Sequence, residues 1–184
     1  MKKIISLLLI TATIFALASC GGDKTVPDGM QLVNNDKQTY TLFVPETWTV
    51  DVTDGISSAY ANDRSNISLM TMQWSSAQYS SLEEYCAQYY KDIAATFKNV
   101  SAIEEYKENQ YFGTLPALKF VYTIGPDAVE GQQASSASDM KYKFMQIFTF
   151  GEDGQVYIFT YTALEKNYES HLKSVNIIIE TFIP

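Results

Sequence analysis

Lys141 to Thr162 reads KYKFMQIFTFGEDGQVYIFTYT, two β-rich runs around a glycine-bearing loop. Aromatic and β-branched residues dominate Lys141–Phe150 and Gln155–Thr162, and such side chains suit a pleated, half-buried surface. Gly151-Glu152-Asp153-Gly154 between them has turn composition, so the stretch predicts an antiparallel hairpin. Beyond it, Tyr168, Leu172, Val175, Ile179 and Phe182 recur every three or four residues. That spacing is the core stripe of a C-terminal helix starting near Leu164.

Working back from the hairpin, more strands come into view. Leu115 to Ile124 is rich in apolar and aromatic residues, and Ala102 to Tyr106 leads to Tyr111-Phe112-Gly113 before it. Gly125 to Asp139 is polar, rich in small residues and free of aromatics. Little there can be buried, so poor protection from amide exchange is expected; long loops are commonly functional or disordered. A helix is expected from about 81 to 97. Ser80 and Ser81 offer N-caps, and Glu83 and Glu84 suit the positive end of the helix dipole. Leu82, Tyr85, Cys86, Tyr89, Ile93 and Phe97 make its apolar stripe. Asn66 to Gln73 sets Ile67, Leu69 and Thr71 against Met70 and Met72, which fits a strand buried on one face or on two. Tyr40 to Val44 is strand-like and is stopped by Pro45, and Trp48 to Val52 alternates after a tight connection. Strands, helix, strands, hairpin and helix in that order give an α+β protein. Its architecture is an α/β/α sandwich with a largely antiparallel sheet and two main helices.

Three short motifs carry a family resemblance. Leu42-Phe43-Val44-Pro45-Glu46-Thr47-Trp48 resembles the strand, proline, two residues and tryptophan that open PsbP-like domains, including the DcrB-like bacterial lipoproteins. Gly113-Thr114-Leu115-Pro116-Ala117 resembles the turn before a central strand of that family. Tyr157 to Ala163 resembles its penultimate strand, followed by a terminal helix ending in Phe182. The resemblance spans nearly the whole chain after Cys20, and all three motifs are structural. It implies a PsbP-like fold. The family includes a photosystem II subunit that supports the oxygen-evolving centre and a Ran-binding import factor, and neither job passes to this chain through fold alone.

The start of the chain speaks to location. Met1-Lys2-Lys3 is positive, Ile4 to Leu17 is apolar apart from Ser6, Thr11 and Thr13, and Leu17-Ala18-Ser19-Cys20 follows. Charge, apolar run and small-residue site in that order make a secretory signal, residues 1–19, too short for a comfortable membrane span. Leu-Ala-Ser-Cys also resembles a bacterial lipobox, which implies that Cys20 carries acyl chains of the palmitate type. Two or more such chains hold stably in a bilayer, whereas one is marginal. Residues 20–30, with Gly21 to Gly29 and Pro27, read as a flexible tether, and residues 31–184 as a single domain. The expectation is an extracytoplasmic, lipid-anchored protein of the cell envelope.

Composition narrows its partners. The chain has 13 basic and 21 acidic residues, and cleavage removes Lys2 and Lys3, leaving a mature charge of −10. Such a surface repels nucleic acid, so no nucleic-acid partner is expected. With Cys20 acylated, Cys86 is the one thiol left and no disulfide can form within the domain.

Catalytic sets are sparse. His171 is the single histidine, it lies on the C-terminal helix, and no Gly-x-Ser-x-Gly elbow accompanies it. Cys86 sits on the helical stripe and reads as a buried apolar residue rather than a nucleophile. Zinc needs His or Cys clusters, no EF-hand spacing is present, and no glycine-rich phosphate loop appears. No catalytic residue, metal or cofactor is therefore expected. Glu83-Glu84, Glu104-Glu105 and Glu152-Asp153 read as solvated charges, although two acids across a cleft would make a glycan hydrolase the alternative. Trp48 belongs to the Pro-x-x-Trp element and reads as core, while Trp74 and Tyr79 are candidates for a binding surface. The 13 tyrosines fit either a wet binding face or a tyrosine-rich core. The preferred reading is a non-enzymatic accessory domain for an unidentified envelope protein or small ligand.

Overall fold

A computed structural model describes residues 25–33, 38–53, 56–75, 78–97, 99–125, 140–151 and 154–184, and of 103–109 the backbone alone. The expected signal peptide, Cys20 and most of the 125–139 segment lie outside these residues, as do Glu152 and Asp153. The strands are β1 (Met30–Leu32), β2 (Phe43–Pro45), β3 (Thr49–Thr53), β4 (Ile56–Tyr60) and β5 (Asn66–Gln73), then β6 (Val100–Phe112), β7 (Leu115–Ile124), β8 (Tyr142–Phe150) and β9 (Gln155–Leu164). Helix α1 (Leu82–Thr96) joins β5 to β6, and α2 (Tyr168–Glu180) closes the chain. Seven strands form one sheet in the order β3-β4-β5-β9-β8-β7-β6, antiparallel at every pairing.

The hairpin expected around residues 151–154 is the β8–β9 pair, with Phe150 opposite Val156 and Tyr142 opposite Leu164. β9 is the middle strand of the seven, and both of its faces are covered. Tyr157, Phe159, Tyr161 and Ala163 meet Val175, Ile178 and Phe182 on the α2 face. Val156 and Ile158 meet Leu82, Tyr85 and Cys86 on the α1 face. Ile67 and Leu69 turn toward α2 while Met70 and Met72 pack beneath α1, so β5 is covered on both faces as well. The result is the expected α/β/α sandwich.

The Pro-x-x-Trp element closes a tight turn, in which the Trp48 amide donates to the Pro45 carbonyl at 2.9 Å. The Gln31 side chain braces it, donating to the carbonyls of Pro45 and Trp48 at 3.1 and 2.7 Å. Trp48 is buried, as expected. The first strand begins at Met30, which is buried and pairs with Pro45.

Several boundaries differ from expectation. Tyr40 to Val44 contributes only Phe43 onward to a strand, because Thr41 instead makes a single bridge to Ile183 near the C-terminus. β4 gave no strand signal, since its Ser57 and Ser58 are polar. Burial of Ser57 is tolerated because its hydroxyl pairs with Tyr40 at 2.7 Å and donates to Gln38 at 3.0 Å. The two runs expected between Ala102 and Gly113 are one strand, β6, with three breaks in register against β7. A 3-10 turn, Glu165–Asn167, precedes α2, so the α-helix begins at Tyr168 rather than near Leu164. Within α2 the most buried positions are Tyr168, Val175 and Ile178, while Leu172 and Ile179 flank them half-buried.

Candidate functional site

Trp74 and Tyr79 come together at the hairpin end of the α1 layer. The Trp74 amide donates to the Gly154 carbonyl at 2.8 Å, tying the end of β5 to the β8–β9 loop. That sets the Trp74 ring 4.9 Å from Phe150, edge to face. Tyr79 reaches the same place from a turn in which its own amide and that of Gln78 donate to Ser75. Its ring lies 6.0 Å from Trp74 and 5.1 Å from Tyr85 in the first turn of α1. Tyr85 is buried and donates its hydroxyl to the Met72 sulfur at 3.3 Å. Burial, with Tyr89, Cys86 and Tyr79 nearby, pushes its phenol up to about 12. Three chain segments thus build one aromatic ledge. Trp74 and Tyr79 are half-buried, Phe150 is 40% exposed, and Gln73, Ser75 and Gln78 are exposed beside it. Rings backed by a packed layer and rimmed by amides and hydroxyls suit a partner that brings both apolar and polar groups.

The start of α1 is fixed independently. The Ser81 hydroxyl accepts from the Glu84 amide at 3.2 Å. The Glu84 carboxylate accepts from the Ser80 hydroxyl and amide at 2.6 and 2.8 Å, which holds its pKa below the ordinary value. Glu84 is therefore a helix cap, not a proton donor poised for chemistry.

On the other flank of α1, toward β6 and β7, runs an open groove of about 490 Å³. Cys86, Ala87, Tyr90, Ala102 and Phe120 line it, with Glu83 and Lys91 at the rim. Burial, reinforced by Glu83, pushes the Cys86 thiol up to about 12, so it stays protonated at neutral pH. Among the described residues, Glu83 is the one carboxylate lining the groove, whereas a glycan hydrolase needs a facing pair.

His171 lies across the sheet from Cys86. Its ring meets Trp48 edge to face at 5.4 Å in the α2 layer, while Cys86 packs in the α1 layer. A Cys86–His171 pair is thereby excluded by the sheet between them. His171 Nε2 instead pairs with Asp63 Oδ2 at 3.0 Å. Burial opposes ionisation of Asp63, but hydrogen bonds from His171 and the Ser65 amide outweigh it and lower its pKa. Ser170 turns away and donates to the Asn167 carbonyl, so no triad assembles there. Among the described residues, no three His, Cys, Asp or Glu side chains gather as metal ligands would.

Two contributors were not read from the sequence. Phe150 looked like the end of a strand, and its place before Gly151 was the available signal. A Cβ on Gly151 would fall 2.3 Å from the Tyr157 ring, so glycine is what lets the backbone after Phe150 pass close to that ring. The groove had no linear signature, because Ala102 and Phe120 meet Ala87 only through sheet packing.

No family model matches the chain, and no curated protein sequence matches it. Solved structures do. The cyanobacterial PsbP protein of Synechocystis sp. PCC 6803 aligns over 90% of this chain and 97% of its own, with a TM-score of 0.55 and 14% identity. The Saccharomyces cerevisiae Ran-binding protein Mog1p aligns over 83% and 94%, with a TM-score of 0.57 and 10% identity. A Pseudomonas aeruginosa protein of unknown function aligns over 84% and 96%, with a TM-score of 0.52 and 15% identity. The fold is PsbP-like, and at these identities the likeness concerns the fold alone.

Proposed function

We propose that this PsbP-like domain is a non-enzymatic accessory module of the cell envelope, held at the extracytoplasmic face of a membrane by acyl chains on Cys20. It binds a protein or small-ligand partner through the ledge of Trp74, Tyr79 and Phe150. The ledge is the observation that carries this reading. It gathers three partly exposed rings from separate segments onto one packed backing, and two of them are the Trp74 and Tyr79 that the sequence offers as a binding surface. Support for the tether is the lipobox-like Leu17-Ala18-Ser19-Cys20 after a signal-like run. Among the described residues no helix is long and apolar enough to cross a membrane. A Ran-binding protein on the same fold supports a protein partner as one job this architecture can carry.

The test places a photocrosslinking amino acid at Tyr79 and, as a control, at exposed Asn176 of α2 in cells making the full chain. A discrete adduct from position 79, absent from position 176, is expected. Trp74→Ala should weaken it strongly, since a central tryptophan in an interface contributes about 2 kcal/mol, or roughly thirtyfold in affinity. Equal adducts from both positions, or a Trp74-independent one, would remove the ledge from the account.

A further inference from the structure

The groove on the opposite flank of α1 is independent of the ledge, and among the described residues its rim carries one charge of each sign, Glu83 and Lys91. Glu83, Ala87 and Lys91 follow one another at four-residue intervals, so they form one inclined row along α1. Eight residues of helix separate the two charges by about 12 Å along the axis. The midpoint, Ala87, is small and exposed, which leaves the groove open at its centre. Phe120 of β7 and Ala102 of β6 supply the facing wall, and Cys86 and Tyr90 complete the apolar lining.

We infer that this groove receives an extended peptide segment of a partner protein carrying a cationic residue, an apolar residue and an anionic residue at alternate positions. Alternate residues of an extended chain point the same way, and four residues span about 13 Å. A basic side chain placed at Glu83 therefore puts an acidic one at Lys91. The residue midway between them drops its apolar side chain over Ala87 toward Phe120. Opposite charges at the two ends also favour one direction of the peptide and disfavour segments of uniform charge. A single-chain fatty amphiphile fits less well, since its carboxylate would gain Lys91 only with its tail lying beside the Glu83 carboxylate.

The probe is a fluorescein-labelled, end-capped peptide of sequence Ser-Lys-Thr-Leu-Thr-Glu-Ser, followed by anisotropy against the full mature chain. Saturable binding is expected. Moving the glutamate one position closer to the leucine puts it on the opposite face and should weaken binding about two- to fivefold, the scale of an exposed ion pair. Ala87→Leu, at an exposed position, fills the groove and should abolish binding with the circular dichroism spectrum unchanged. Glu83→Lys should invert the preference, so that the variant binds a peptide with glutamate at both charged positions more tightly than it binds the lysine–glutamate peptide, the reverse of the wild type. A merely damaged groove would not produce that inversion. Absent binding, an indifferent Ala87→Leu variant, or an uninverted preference overturns the inference. So does saturable binding of dodecanoate in place of the peptide. None of these results bears on the Trp74 ledge.

Discussion

Gly113 sits at the β6–β7 turn, where the body of the sheet touches the end of α2. Its φ is +58°, and its amide donates to the Ile179 carbonyl at 2.7 Å. A Cβ added there would lie 2.0 Å from the Phe182 carbonyl oxygen and 3.0 Å from its carbon. Gly113→Ala thus carries two costs. The left-handed backbone costs a non-glycine residue about 1–2 kcal/mol. The contact with backbone cannot be relieved by rotating a side chain, so the chain after α2 must retreat. That loosens Phe182, which is buried and stacks 3.9 Å from Phe112. Complete loss of a buried phenylalanine costs about 3–5 kcal/mol, and a partial withdrawal roughly a third of that. The total, about 2–4 kcal/mol, corresponds to a fall in Tm of roughly 5–15 °C for a domain of this size. Gly29 is the control, because its φ is +72° but nothing lies within 4 Å of its added Cβ. Gly29→Ala should cost the backbone strain alone, and thermal unfolding followed by circular dichroism measures both. Equal losses for the two variants would refute the claim that the turn locks α2 onto the sheet.

Three further outcomes are expected. Asp63→Asn removes a carboxylate whose folded pKa is lowered, so the wild type's advantage exists above pH 4 and disappears as pH falls through that folded value. The pair with His171 is partly exposed, so the loss should be only about 0.5 kcal/mol, read from urea midpoints at pH 7 and pH 2.5. Cys86 has a raised pKa, so iodoacetamide at pH 8 should alkylate the folded protein roughly a hundredfold or more slowly than the unfolded chain, and rapid labelling of native protein would contradict its burial. The same shift makes Cys86 favour the folded state below about pH 8.5 and lose that effect as pH climbs toward 12. Finally, the polar composition of Gly125–Asp139 predicts fast hydrogen exchange of its amides, Gly125 excepted because its amide donates to the Asn99 carbonyl at 2.9 Å, and strong protection of the rest would refute that expectation.

Periodicity exposed most of the fold and little of the candidate site. β7, β8, β9 and α1 stood out because long apolar runs and a capped helical stripe each satisfy one period over many residues. β4 stayed hidden because Ser57 is buried through specific hydrogen bonds, which composition does not register. The start of α2 was misplaced because the 3-10 turn at Glu165–Asn167 continues the chain's coiling without an α-helical period. Trp74 and Tyr79 were legible singly, as aromatic residues in polar surroundings. Their union with Phe150 depends on the bond from the Trp74 amide to the Gly154 carbonyl, between residues far apart in the chain. The groove along α1 was less legible still. Its charges follow a helical row, but its far wall comes from β6 and β7, and only the finished sheet places them there.

On the reading proposed above, acylation of Cys20 would decide where this domain works, and therefore which partners could meet the ledge. Mass spectrometry of the N-terminal peptide from protein extracted out of its native membrane tests that directly. The account predicts a chain beginning at Cys20, with a diacylglycerol group on its sulfur, and a Cys20→Ala variant without acyl chains. An unmodified N-terminus downstream of Cys20, or a mature chain still beginning at Met1, would contradict it.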